Sequence, residues 1–432
     1  MRYELEILEK VMFYDEEGIT TRFPLYVYRM KENVDRRALE TAIDYAIKCH
    51  PAFGCLLCED AKGPYLETNP ESPIVPDLDP QTEYFYGNKS NNNYPWVVGI
   101  HKNEIIYTGY HGIADGIGAT IFMRTVLFYY FKEIGIECEN GNTATLENIT
   151  DEFLERDTEC SIRKNNGGNH QSHYTKSEKK PSLFPPEMLV DDDRECRIHN
   201  LSINLSDVRR KVESYNVSQF AVIAGYVAKA IGSILPVDDA VVEMNIVADM
   251  RSMLESCTTH NCVMNVPITL EKCELESMTE EELCKHLRSS LSLGFNREEV
   301  LVSCENYGKM EAMLGGNRET MAYVAKQIAQ QFGFNNAVAS VAYTHLTHTG
   351  ITDDMFNALD DAYINISGFR TSGKQAIIAL NAITTDKAIN LLIVDGTKGE
   401  VIVNKLKELI TESGVSFKDK ELERYKGIIY RR

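Results

Sequence analysis

From Arg156 to Cys196 the sequence drops its periodic apolar positions and runs instead through Asn165-Asn166-Gly167-Gly168, Lys179-Lys180-Pro181 and Asp191-Asp192-Asp193. A stretch of that composition, with few periodic apolar positions, reads as the inter-lobe linker. On each side of it β-like runs alternate with helical patterns. The chain therefore divides into a first unit at residues 1–155, a linker at 156–197 and a second unit at 198–432. Strands and helices mixed in both units predict an α/β class with mixed (α+β) sheets rather than a bundle or a sandwich.

In the first unit, Asp35 is a good N-cap for a helix that places Leu39, Ala42, Ile43, Ala46 and Ile47 on one face. That helix should stop near Cys49 and His50, because Pro51 disfavours helical geometry in the residue before it. A loop-like region rich in Pro and Asn follows, up to Pro95. Two β-rich runs, Trp96 to Ile100 and Ile105 to Tyr110, flank a polar turn and predict a hairpin. The second run delivers the chain to His111, and Gly112 to Gly118 carries it into an apolar helical stretch ending near Phe131. His111 is thus expected at a strand-to-helix junction.

The second unit is expected to open with a strand at Ile198 to Ile203, a helix capped by Ser206 and a helix capped by Ser218. A strand through Val241 to Val247 leads to Asp249-Met250-Arg251. Helical stretches follow near Glu280 to Leu293 and Arg318 to Gln331. Further β-like runs are Val338 to Thr344, Tyr363 to Ile366, Ala376 to Ile383 and Ile389 to Val394, before a last helix from about Gly399 to Thr411.

Composition narrows the function classes. With 43% hydrophobic and 25% charged residues the chain has an ordinary soluble balance, and no apolar run approaches the roughly eighteen residues of a membrane span. No secretory leader pattern opens it, so a cytoplasmic location is expected. Eleven scattered cysteines fit reduced thiols better than a disulfide framework, which leaves sequons such as those at Asn148, Asn200, Asn216 and Asn365 without meaning for glycosylation. A net charge of -19 argues against a nucleic-acid binder.

His111 and Asp115 are four residues apart, a spacing that does not by itself make a dyad. The order of features around them carries more. Val34-Asp35 with Leu39 and Ala42, His50-Pro51, a hairpin and then His111-x-x-x-Asp115-Gly116 resembles the condensation-domain and alcohol acetyltransferase superfamily. Ile246-Val247-Ala248-Asp249-Met250-Arg251 resembles that family's strand ending in a fixed arginine, and Ala388 to Asp395 with the next helix resembles its closing strand and helix. The likeness implies two chloramphenicol acetyltransferase-like lobes facing across a central tunnel, with His111 as the base. It also implies that Asp115 is structural, turned from the tunnel and ion-paired with Arg251, and that Gly116 permits close packing where the helix begins.

The chemistry such a site implies is acyl transfer from acyl-coenzyme A to a hydroxyl acceptor, with no permanently bound cofactor. Oxyanion donors are expected around Tyr343-Thr344-His345-Leu346-Thr347, where the sequence departs from the family's Ser-Asn-x-Gly segment. Tyr110 stands where many members carry a first histidine and is expected as a core or tunnel-wall aromatic. Two alternatives stay open: a condensation enzyme drawing its acyl group from a carrier protein, and an inactive ligand-binding protein of the same fold. The Asp-Phe-Gly-Trp-Gly signature of the plant branch is absent.

Other clusters are weaker. Cys257-x-x-His260-x-Cys262, His345-x-x-His348 and His170-x-x-His173 lack the usual four-ligand zinc spacing, so no metal is expected. Arg163-Lys164, Lys176 with Lys179-Lys180, and Arg209-Arg210-Lys211 are candidate phosphate contacts for coenzyme A, against the plainer reading of exposed charge. No nucleotide-binding glycine pattern appears.

Overall fold

The structure is a computed structural model that describes residues 1–14, 24–174, 182, 184–191, 196–314, 318–331, 338–346, 348–366 and 377–430. Thr347, Lys176, Lys179, Lys180, Pro181, Asp192, Asp193 and Ala376, all named above, lie outside the described residues.

Two sheets carry the architecture. A seven-stranded sheet runs in the order Val263–Glu271, Val241–Asp249, Ala339–His345, Ile378–Thr384, Ala388–Asp395, Arg197–Asn204, Phe417–Asp419. It is mixed, because Ala339–His345 lies parallel to both of its neighbours while the remaining pairs are antiparallel. A four-stranded antiparallel sheet runs Leu359–Asn365, Leu25–Met30, Glu104–Gly109, Trp96–His101. The expected hairpin is its edge, with Trp96 opposite Gly109 and His101 opposite Glu104. One mixed and one antiparallel sheet with their helices make up the α/β (α+β) class read from the sequence.

Helices Arg36–Cys49 and Gly116–Glu133 share one core with the four-stranded sheet, and helices Gln219–Ile234, Glu280–Gly294 and Val401–Glu412 share another with the seven-stranded sheet. The first helix begins as expected: Asp35 Oδ1 accepts the amide of Ala38 at 3.1 Å, and Cys49 ends it two residues before Pro51.

Several local expectations change. The helix expected behind Ser206 runs from Leu205 to Tyr215 and is capped by Asn204, whose Oδ1 accepts the amides of Ser206 and Asp207. Asn and Ser are both strong caps, and strand pairing up to Asn204 decides between them. The region before Pro95 is not all loop: Cys55–Asp60 and Gly63–Thr68 form a small sheet with Arg2–Glu4. These strands are short and neither alternates apolar with polar residues, so the period-two signal is missing. The helix Ile7–Tyr14 is a further element that the sequence pattern does not announce.

The two halves of the sequence interlock. Leu359–Asn365 crosses to pair with Leu25–Met30, and Gly427–Tyr430 pairs in parallel with Glu83–Tyr86. In return, helix Ile7–Tyr14 buries Ile7, Val11 and Phe13 in the core of the seven-stranded sheet.

Candidate active site

Glu104–Gly109 ends in a tight turn that carries His111, and Asp115 then caps helix Gly116–Glu133 by accepting the amide of Gly118 at 2.7 Å. Two glycines let other chains come close here. A Cβ on Gly116 would sit 2.5 Å from the Tyr26 hydroxyl, and one on Gly118 would sit 2.0 Å from the carbonyl oxygen of Thr259. The helix start is thereby pressed against the 258–262 segment of the second half.

The structure brings Asp115 and Arg251 together. Arg251 Nη2 donates to Asp115 Oδ1 at 2.9 Å and to the carbonyl of His260 at 2.6 Å, Nη1 donates to Asp249 Oδ1 at 2.7 Å, and Nε donates to the carbonyl of Thr258 at 2.7 Å. The other Asp115 oxygen accepts the amide of Cys262 at 2.8 Å. Arg251 is 5% exposed and Asp115 2%. Burial opposes the guanidinium charge, but Asp115 and Asp249 hold its pKa above the ordinary value. A fork with its hydrogens so filled fixes the orientation of both strand-end segments.

His111 lines a cavity of about 270 Å³ between the four-stranded sheet and the seven-stranded one. Asn261 Nδ2 donates to its main-chain carbonyl at 2.8 Å. Burial lowers the imidazole pKa, against the opposing pull of its own main-chain carbonyl, Asp115, Asn261 and Glu9. The ring is therefore biased to the neutral form, which can accept a proton.

Facing His111 in the same cavity are Ser340, Thr344 and Asn381 from the seven-stranded sheet and Tyr26 from the four-stranded one. Thr344 and His345 part company at the end of their strand. Thr344 lines the His111 cavity, whereas His345 lines a larger one of about 780 Å³ with His348, on which it stacks at 4.3 Å. Burial, His348 and Arg209 press the His345 pKa down to about 4. The two cavities share Ile117, Asp249 and Tyr343 as walls. Tyr110 lines neither; it is core, with its hydroxyl donating to the Met12 carbonyl at 2.7 Å.

Several residues of the other clusters make ion pairs or buried contacts. Arg163 pairs with Glu4 and Glu311, Lys164 with Glu159, Arg210 with Asp207 and Lys211 with Glu280. His260 is fully buried, its Nδ1 3.0 Å from both oxygens of Glu9. Among the described residues no group of three or more His, Cys, Asp or Glu side chains is placed to hold a metal ion.

Sequence reasoning missed Glu9, Asn261, Tyr26 and Asn381. Asn381 had a signal: it is a lone amide inside Ile378–Thr384, an otherwise mostly apolar strand. Glu9 had a fainter one, as a carboxylate among the apolar residues of Ile7–Tyr14.

This architecture is the two-lobed fold of chloramphenicol acetyltransferase-like acyltransferases and condensation domains. TRI101 of F. sporotrichioides, solved with coenzyme A and T-2, matches at a TM-score of 0.60 and 12% identity, covering 97% of this chain and 99% of its own. The epimerization domain from the third module of tyrocidine synthetase B matches at 0.59 and 10% identity, over 96% of this chain and 95% of its own. The condensation domain of the Monacolin K polyketide synthase MokA matches at 0.54 and 9% identity, over 96% and 98%. No family model matches the chain, and no curated protein matches it by sequence. At these identities the likeness defines the fold, and chemistry must be argued from the site.

Proposed function

We propose that this chain is an acyltransferase that moves an acyl group from acyl-coenzyme A to a hydroxyl acceptor, with His111 as general base. The observation that carries this reading is a single one: an imidazole biased to its neutral form, on a residue whose main-chain carbonyl Asn261 holds at the wall of a cavity between the two sheets. A neutral ring nitrogen takes the acceptor proton as the acceptor oxygen attacks the thioester carbonyl. Collapse of the tetrahedral adduct forms the new ester and expels the coenzyme A thiolate, which recovers the proton from the imidazolium. No covalent acyl-enzyme is needed.

Thr344 and Asn381 are the side-chain donors we assign to the developing oxyanion, since both line the His111 cavity. Asp115 and Arg251 are assigned the role of holding the turn that carries His111. The shared walls of the two cavities suit two substrates meeting at His111 from different sides. Crystals of TRI101 with coenzyme A support the donor class. Among the described residues no single helix is long and apolar enough to cross a membrane, and the buried thiols of Cys49, Cys262, Cys284 and Cys304 are free, in keeping with a reducing cytoplasm.

The likeness to an epimerization domain and a condensation domain keeps a carrier-protein donor as the second reading. One assay separates the two: thiol release from acyl-coenzyme A and from acyl-carrier donors, with alcohol and amine acceptors, for the parent and for folded His111→Ala. Acceptor-dependent coenzyme A release that falls at least about a hundredfold in the variant is expected. Release from the carrier alone would replace the donor. Turnover retained by His111→Ala would remove the base, and absence of turnover with every donor would favour a ligand-binding role.

A further inference from the structure

We propose that Glu9 is a positioning residue for His111 and acts through the side chain of Asn261, an inference that rests on His111 being the base. Glu9 sits on helix Ile7–Tyr14, more than a hundred positions before Asn261, and is fully buried. A buried carboxylate is costly unless its oxygens are filled with donors, so where its bonds go is informative.

The bonds converge on two consecutive residues. Glu9 Oε1 accepts the Asn261 amide at 2.9 Å and Asn261 Nδ2 at 3.3 Å, while both oxygens lie 3.0 Å from His260 Nδ1. Its Oε2 also accepts the amide of Glu6 at 2.9 Å, which anchors the start of its own helix. Burial presses the His260 pKa down, but the charge and hydrogen bond of Glu9 outweigh that and raise it.

Asn261 then hands the constraint on. The second proton of Nδ2 reaches the His111 main-chain carbonyl at 2.8 Å, and Asn261 and Glu9 both favour the proton-bound form of the ring against its burial. An asparagine amide has a donor end and an acceptor end of nearly equal shape. A carboxylate can only accept, so Glu9 selects the NH₂ end to face itself and His111. Asp115 holds the next residue, Cys262, by its amide from the far side. The segment that supports His111 is thus gripped at 260–261 by Glu9 and at 262 by Asp115.

Glutamine at position 9 keeps the shape but offers both a donor and an acceptor, so it no longer selects the orientation of Asn261. In the full chain, Glu9→Gln and Asn261→Ala are each expected to lower kcat by about ten- to a hundredfold with KM changed less than about twofold, because a base misplaced by a fraction of an ångström loses rate before it loses substrate. The double variant should be no slower than the slower single one, since both changes break the same chain of contacts. Losses that multiply, or a Glu9→Gln enzyme with parental kcat, would overturn the proposal.

A readout without turnover is the ¹⁵N NMR spectrum of the histidine rings, with the His111 signals identified by their disappearance in His111→Gln. Glu9→Gln is expected to change the His111 tautomer balance, and unchanged His111 signals would overturn the link even if no substrate were in hand. If instead His111→Ala keeps full activity, the proposed function fails while the NMR result still decides whether Glu9 orders His111.

Discussion

Tyr430 stacks on Tyr110, with ring centroids 4.6 Å apart and planes 21° from parallel. The strand Gly427–Tyr430 therefore clamps the residue that precedes His111, while the Tyr110 hydroxyl is tied to Met12. A Cβ on Gly112 would lie 2.3 Å from the Tyr110 ring, so the turn closes over that ring from the other side. Aromatic pairs of this kind contribute about 1 kcal/mol beyond their buried area.

Removing that stack should loosen the turn that bears His111. Tyr430→Ala is expected to lower acyl transfer severalfold and Tyr430→Phe to restore most of it, because the phenyl ring keeps the stacking face. Steady-state rates of the two variants check this. Equal rates for both would show that the stack has no bearing on the site.

Arg251→Ala strands two carboxylates, Asp115 and Asp249, and leaves two main-chain carbonyls without their donor. Breaking a buried pair from one side costs about 3 kcal/mol or more, so the variant should unfold at clearly lower urea and lose activity together with stability. Arg251→Lys should recover little, since an ammonium cannot reach four acceptors in the plane of a fork. An Arg251→Ala protein as stable as the parent would contradict the pairing as the lock of this loop.

Much of this was legible because it rests on local rules. Asp35 before a run of helical spacing, Pro51 after it, and a hairpin feeding a glycine-rich turn all act over a few residues, and each is found in place. Contacts that join distant stretches left no such trace. Nothing in Leu359 to Asn365 says that the strand will leave its neighbours in sequence to pair with Leu25 to Met30. Glu9 likewise occupies one slot in an apolar helix, and its acceptors' partners lie some 250 residues further on. Periodicity reports which face is buried; it does not report what is buried opposite.

Activity should follow the neutral form of His111. A base works above its pKa, and burial places this one below the ordinary imidazole value of 6.5. The profile of kcat/KM is therefore expected to be level from about pH 7 to 8 and to fall on the acid side through a midpoint below 6.5. Measuring coenzyme A release against pH at low acceptor concentration checks it. An acid limb centred above 7 would assign the titration to a different group.

Glu6 should leave a mark on stability with the opposite sense to an ordinary carboxylate. It is fully buried, and burial together with the neighbouring charge of Glu9 raises its pKa from 4.5 to about 7, with the amides of Ile7, Ile162 and Arg163 in contact with its oxygens. Between those two values the folded chain binds more protons than the unfolded one, so unfolding free energy falls as pH rises through the window. The contribution is complete below about pH 4.5 and gone above about pH 7, with a ceiling of roughly 3 kcal/mol. Glu6→Gln removes the titration while keeping the shape. The stability difference, variant minus parent, should therefore climb between pH 4.5 and 7 and run level below that window, as measured by urea unfolding at a series of pH values. His260, raised in part by Glu6, adds a slope of the same sign at higher pH, and that slope is smaller in the variant. A difference that stays flat across the whole range would mean that Glu6 is ionised in the folded chain throughout that window.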